Sequence, residues 1–174
     1  ARTKATLRLG QIRAREGRFD DAETLLASAA SGPEGATRVP ALLELGDSLF
    51  QREQWGEAEQ TFATLADVRP RVRQRDDVLL KLGIARLRLG DEDGALEALD
   101  ELLDNYDDSV HRVQAEFERG QAYLERGDDR RAARAFENVL DQGEDTRFAP
   151  YAMTHLGAIA QREGDLDAAE DWYA

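Results

Sequence analysis

The chain has 174 residues, and Ala 27, Leu 22, Arg 21, Glu 17 and Lys 2 together make up half of it. That is a helical composition: Val and Ile number only ten, too few for a sheet protein, and the low-complexity stretches that mark disorder are missing. The 36 acidic residues outweigh 23 basic ones to leave a formal charge of −13, which repels phosphate backbones and excludes nucleic acid as a general ligand.

From its first residues the chain repeats itself. A first helix is predicted from near Thr3 through Gly10 to a turn at Glu16-Gly17-Arg18-Phe19, and a second helix follows with Ala22 and Leu26. The next unit has Gly46, a turn at Gln54-Trp55-Gly56, then Ala58 and Phe62. The third has Gly83, Leu89-Gly90-Asp91, Ala95 and Leu99, and the fourth has Gly120, Arg126-Gly127-Asp128, Ala132 and Phe136. The fifth has Gly157, Glu163-Gly164-Asp165, Ala169 and Tyr173. The glycines step by 36, 37, 37 and 37 residues, and the frame Gly-x11-Ala-x3-Leu or aromatic recurs in every unit. In four turns a Gly ends the first helix, as the left-handed conformation favours, and in three an Asp caps the second. The units run at about 3–37, 38–75, 76–111, 112–148 and 149–174, the last incomplete, and form a single solenoid over 1–174. Both ends read as cut from a longer chain.

This pattern resembles the tetratricopeptide repeat, whose signature is W-x2-L-G-x2-Y, then A-x3-F, then P. Leu-Gly stands at Leu9-Gly10, Leu45-Gly46, Leu82-Gly83 and Leu156-Gly157, the following Tyr at Tyr123 and the closing Pro at Pro70. The Trp position holds Thr6, Leu42, Leu79, Glu116 and Met153. The resemblance implies an all-α, right-handed α-solenoid superhelix of about five helix-turn-helix repeats with period 36–37. The extra residues over the family's usual period are expected in a longer first helix or in the loops between repeats. The segment Leu102-Leu103-Asp104-Asn105-Tyr106-Asp107-Asp108-Ser109 is similar to the third-unit ending of bacterial cell-envelope members, such as the Tol-Pal coordinator and an outer-membrane assembly lipoprotein, with Asp107 in place of their Pro.

The family binds polypeptide segments in a concave groove lined by the first helices. Transferred to this chain, the groove positions include Leu43, Asp47 and Phe50; Leu80, Ile84, Leu87 and Arg88; Phe117, Gln121 and Leu124; and Tyr151. Seven of these are large aliphatic or Phe side chains, which suits an extended peptide or amphipathic helix; the alternative is that some pack against a neighbouring unit. The resemblance therefore implies a non-enzymatic adaptor.

Two charge features stand apart. Residues 1–18 carry a net +5 and residues 163–174 a net −5, which suggests head-to-tail stacking into a self-assembling scaffold. The stretch Arg69-Pro70-Arg71-Val72-Arg73-Gln74-Arg75 packs four Arg into seven residues, either to grip an acidic partner or as a solvated loop and helix start. A third reading is the regulatory region of a larger enzyme.

Chemistry finds little to use. No apolar run reaches the roughly 18 residues that span a bilayer, so no membrane insertion is expected. With no Cys and only His111 and His155, in different units, neither a metal site, a catalytic site nor a cofactor site is expected. Asp91-Glu92-Asp93-Gly94 has its Gly too early for a calcium loop and reads as a capped helix start. The bacterial periplasm and the cytoplasm both remain open as its compartment.

Overall fold

In four of the five repeats the glycine and the large residue sixteen positions later lie against each other in space: Gly10 on Leu26, Gly46 on Phe62, Gly120 on Phe136 and Gly157 on Tyr173. In the computed structural model, which describes residues 2–32, 36–69, 72–142 and 146–174, a Cβ added at Gly46 would fall 2.8 Å from Phe62. At Gly120 it would fall 2.6 Å from Phe136. Absence of a side chain at these positions lets the first helix of a pair approach the ring on the second.

The described residues form ten α-helices. They are α1 (Arg2–Arg15), α2 (Phe19–Ala30), α3 (Arg38–Gln51), α4 (Trp55–Ala66), α5 (Arg75–Arg88), α6 (Glu92–Asn105), α7 (Arg112–Glu125), α8 (Asp129–Asp141), α9 (Ala149–Glu163) and α10 (Leu166–Tyr173). Odd-numbered helices are the first of each pair, and two or three residues join each to the second. Loops of six to eight residues join one pair to the next, so the long period resides there. The chain divides into two compact units, Ala1–Leu89 with α1 to α5 and Gly90–Ala174 with α6 to α10.

In the first unit α1 packs on α2, α2 on α3, α3 on α4 and α4 on α5. Ala22, Leu26, Ala41, Phe62 and Leu65 are fully buried there. In the second unit the same order runs α6, α7, α8, α9, α10, with Phe117, Phe136, Val139, Ala152, Leu156 and Ile159 in one apolar cluster. Each of the larger of these side chains, Leu, Ile, Val or Phe, contributes about 1.5–3 kcal/mol of burial, which the polar outer faces of short helices cannot supply.

Helix ends follow the sequence closely. Asp91, Asp128 and Asp165 accept hydrogen bonds from the backbone N–H of Gly94, Arg131 and Ala168, each at 3.0 Å. The turn residue has positive φ at Gly17, Gly90, Gly127 and Gly164, whereas the second repeat puts Glu53 there at φ 58°. The last carbonyls of two second helices receive an arginine from the next first helix. Arg75 is buried and donates to the carbonyl of Ala66, and Arg112, thirty-seven residues on, donates to that of Leu103 at 2.6 Å.

One repeat departs from the apolar pattern. Where other first helices have Leu42 with Leu45, or Leu79 with Leu82, α7 has Glu116 with Arg119. The buried Glu116 pairs with Arg119 at 2.6 Å and accepts from Asn138 at 3.2 Å, while Arg119 also reaches Asp100 at 3.1 Å. Burial raises the Glu116 carboxyl above its usual range, against the opposing pull of Arg119 and Asn138.

Candidate functional site

The eleven residues that sequence reasoning places on the binding face divide between the units, seven in the first and four in the second. In the first unit Leu80, Ile84 and Leu87 are buried, whereas Leu43, Asp47 and Phe50 are half-buried and Arg88 is exposed. Phe50 packs its edge against Trp55, with ring centroids 5.2 Å apart, and against Phe62 at 6.1 Å. Beside it lies a polar ladder. Gln11 donates to Glu44 at 2.9 Å, and Lys81 bridges Asp47 at 2.6 Å and Asp77 at 2.7 Å while its ammonium sits 5.9 Å from the Phe62 ring centroid. Burial pulls the Lys81 ammonium down, but the hydrogen bonds and charges of the two aspartates outweigh it and hold it above its ordinary value.

In the second unit Phe117 is buried, Gln121 and Leu124 are half-buried, and Tyr151 is 63% exposed. Tyr151 stands edge-on to Phe117, with centroids 6.3 Å apart. Phe117 in turn meets Phe148 at 5.2 Å and His155 at 5.9 Å, and His155 stacks on Phe136 at 4.7 Å. The result is an aromatic cluster with one open member. Gln114 lies alongside, accepting from Arg147 at 3.2 Å, and the Arg147 guanidinium covers the Phe148 ring at 4.6 Å. Burial, with the charge of Arg162, lowers the His155 imidazole below its ordinary value, so it is neutral at pH 7. An exposed phenol on an apolar aromatic base can hold an apolar side chain and hydrogen-bond the peptide backbone beside it through its hydroxyl.

Sequence reasoning missed Lys81 and His155, which both lie two residues before a repeat glycine. That position holds Arg8, Glu44, Lys81, Glu118 and His155 in the five units, a polar run that marks it as distinct from the core. It also missed Phe148 and Arg147, which lie before the helical frame begins. Of the arginine-rich stretch, Pro70 and Arg71 lie outside the described residues. Arg69 is turned onto the carbonyls of Ala66 and Val68, both at 3.1 Å, and Arg75 is buried against the same helix end, so these two brace α4. Among the described residues no group of three His, Cys, Asp or Glu could hold a metal ion, and no helix is long and apolar enough to cross a membrane.

Comparison with known proteins gives a consistent picture. A family model described as tetratricopeptide repeat matches residues 43–110 and 117–174, and a second one matches 4–28. A search of curated proteins finds no match. Among solved structures, a MamA RS-1 double mutant is similar with a TM-score of 0.82 at 18% identity, over 98% of this chain and 90% of that one. MamA 41-end from Desulfovibrio magneticus RS-1 gives 0.81 at 18%, with the same coverage. A tetratricopeptide repeat protein from Parabacteroides merdae gives 0.80 at 17%, over 98% of this chain and 64% of that one. At such identities the likeness establishes the fold alone.

Proposed function

Because the chain belongs to the tetratricopeptide repeat family, we propose that it is a non-enzymatic adaptor that takes a polypeptide segment of a partner protein on the exposed faces of its first helices. The observation that carries this reading is Tyr151, an exposed aromatic side chain on α9 set edge-on against Phe117, which itself packs on Phe148 and His155. In the first unit the available groups are Leu43, Phe50, Asp47 and Arg88, since Leu80, Ile84 and Leu87 are already enclosed. An anchoring side chain buried on either face contributes about 1.5–3 kcal/mol, and two or three such anchors suffice for micromolar affinity after the ordering of the segment is subtracted.

Peptides selected from a displayed library on the wild-type chain test this. Their affinity should fall at least about tenfold with Tyr151→Glu and stay unchanged with Glu137→Lys on the exposed side of α8. Equal affinity for all three proteins overturns the reading.

Self-association through the oppositely charged stretches, +5 on residues 1–18 and −5 on residues 163–174, is a second reading. An envelope setting rests on the similarity of residues 102–109 alone, and fractionation of cells expressing the full-length protein would test it.

A further inference from the structure

Neighbouring first helices share a polar position. The residue after a repeat glycine, such as Gln11, Asp47 or Gln121, is matched in register with the residue two before the next glycine, Glu44, Lys81 or His155. All six are half-buried. Gln11 donates to Glu44 at 2.9 Å and Lys81 donates to Asp47 at 2.6 Å, so in the first unit these groups satisfy each other. Gln121 and His155 hold the same two positions in the second unit, yet among the described residues neither makes a hydrogen bond.

The His155 ring is engaged through its face. It stacks on Phe136, with centroids 4.7 Å apart and an interplanar angle of 13°, and meets Phe117 at 5.9 Å. Such contacts leave the two nitrogens, which bond in the plane of the ring, open to another molecule. Burial and the Arg162 charge hold the imidazole neutral at pH 7, with one nitrogen a donor and the other an acceptor. The Gln121 amide likewise carries both functions. Phe117 relates this pair to Tyr151: it meets Tyr151 at 6.3 Å, and Gln121 follows Phe117 by one turn of α7 as His155 follows Tyr151 by one turn of α9. That step is about 6 Å along a helix, the length that about two residues of extended chain cover.

Resting on the adaptor reading above, we propose that the segment bound by the second unit is an extended chain, with an apolar side chain against Tyr151 and a nearby peptide group hydrogen-bonded by Gln121 and His155. A helical segment does not fit the pair, because its main-chain N–H and C=O groups bond to one another except at its two ends. An extended segment presents both groups unpaired along its edges. The apolar positions of the first helices suit either kind of ligand, and the unpartnered amide and imidazole select between them.

Titration calorimetry with a peptide selected on the wild-type chain tests the proposal, its apolar anchor located by alanine substitution in the peptide. Gln121→Ala and His155→Phe, the second of which keeps the ring stack, should each weaken binding about five- to tenfold, with folding checked by circular dichroism. Replacing one peptide amide within about two residues of the anchor by an ester should cost the wild type a similar factor, and Gln121→Ala less than about twofold. The esters leave the protein untouched, so a folding defect cannot imitate their effect. Carbonyl carbon shifts of the isotope-labelled peptide should be those of extended chain when bound. Helical shifts, an affinity indifferent to both Gln121→Ala and His155→Phe, or the lack of any sensitive ester near the anchor overturns this mode of recognition, and the adaptor reading stands so long as Tyr151→Glu still weakens binding. Affinity that ignores Tyr151→Glu as well, or a library that yields no binder, overturns both.

Discussion

The guanidinium of Arg112, the first residue of α7, donates to the carbonyl oxygen of Leu103 in the last turn of α6, 2.6 Å away. Arg75 stands thirty-seven residues earlier in the same relation to Ala66. A second helix leaves its final carbonyls without intrahelical partners, and a long loop follows, so the arginine closes both the helix end and the path of the loop. Replacing buried Arg75 with Met keeps the aliphatic stem and loses the charged donor. It should lower stability by about 1.5–3 kcal/mol, measured by urea unfolding. A change under about 0.5 kcal/mol would show that water satisfies the Ala66 carbonyl equally well.

Gly120 touches the Phe136 ring so closely that a methyl group has no room. Gly120→Ala should cost about 1–3 kcal/mol through displacement of that ring. Adding Phe136→Leu should recover part of the loss, because a leucine is smaller than the ring and its methyls can turn aside; an added Cβ at Gly10 would lie 2.9 Å from Leu26, against 2.6 Å from Phe136 at Gly120. Unfolding curves of the two variants decide whether ring overlap is the cause.

Glu53 adopts φ 58° at a turn where four other repeats place glycine. A side chain there is strained, and relief of that strain exceeds the extra freedom glycine brings to the unfolded chain. Glu53→Gly should stabilise the chain by about 0.5–1 kcal/mol, visible as a rise in melting temperature.

His155 gives the second unit a pH dependence with a definite sign. Burial, then the Arg162 charge, lower its folded value below the ordinary 6.5, so the unfolded chain binds the proton more tightly. Stability present above about pH 6.5 is therefore lost as pH falls toward the lowered folded value. Melting temperatures measured from pH 7.5 down to 5.5 should fall more for the wild type than for His155→Leu. Parallel curves would remove His155 as the cause.

Much of this architecture was legible because the physical requirements recur. The frame of Gly, Ala and large residue recurs five times in sequence and marks a Gly–side-chain contact at Gly10, Gly46, Gly120 and Gly157, and the Asp caps follow from turns that need a backbone acceptor. The face was less legible. A groove position on a helix says which way a residue points but not what encloses it, so Leu80, Ile84 and Leu87 read the same as Phe50 although they are buried. Tyr151 stands out only once Phe148, from a loop with no periodicity, and His155, from a polar position, are seen around Phe117, the ring it meets. The arginines of 69–75 read in sequence either as a grip for an acidic partner or as a solvated loop, and the bracing role of Arg69 and Arg75 is hidden there because a sequence does not reveal which carbonyls lie within reach of a guanidinium.

The most direct measurement is hydrogen exchange of the second unit with and without a peptide selected on the wild-type chain. Added protection on the first helices α7 and α9, centred on residues 114–124 and 151–161 and absent in Tyr151→Glu, is the predicted result. Protection centred on the second helix α8, or protection that survives Tyr151→Glu unchanged, would contradict it.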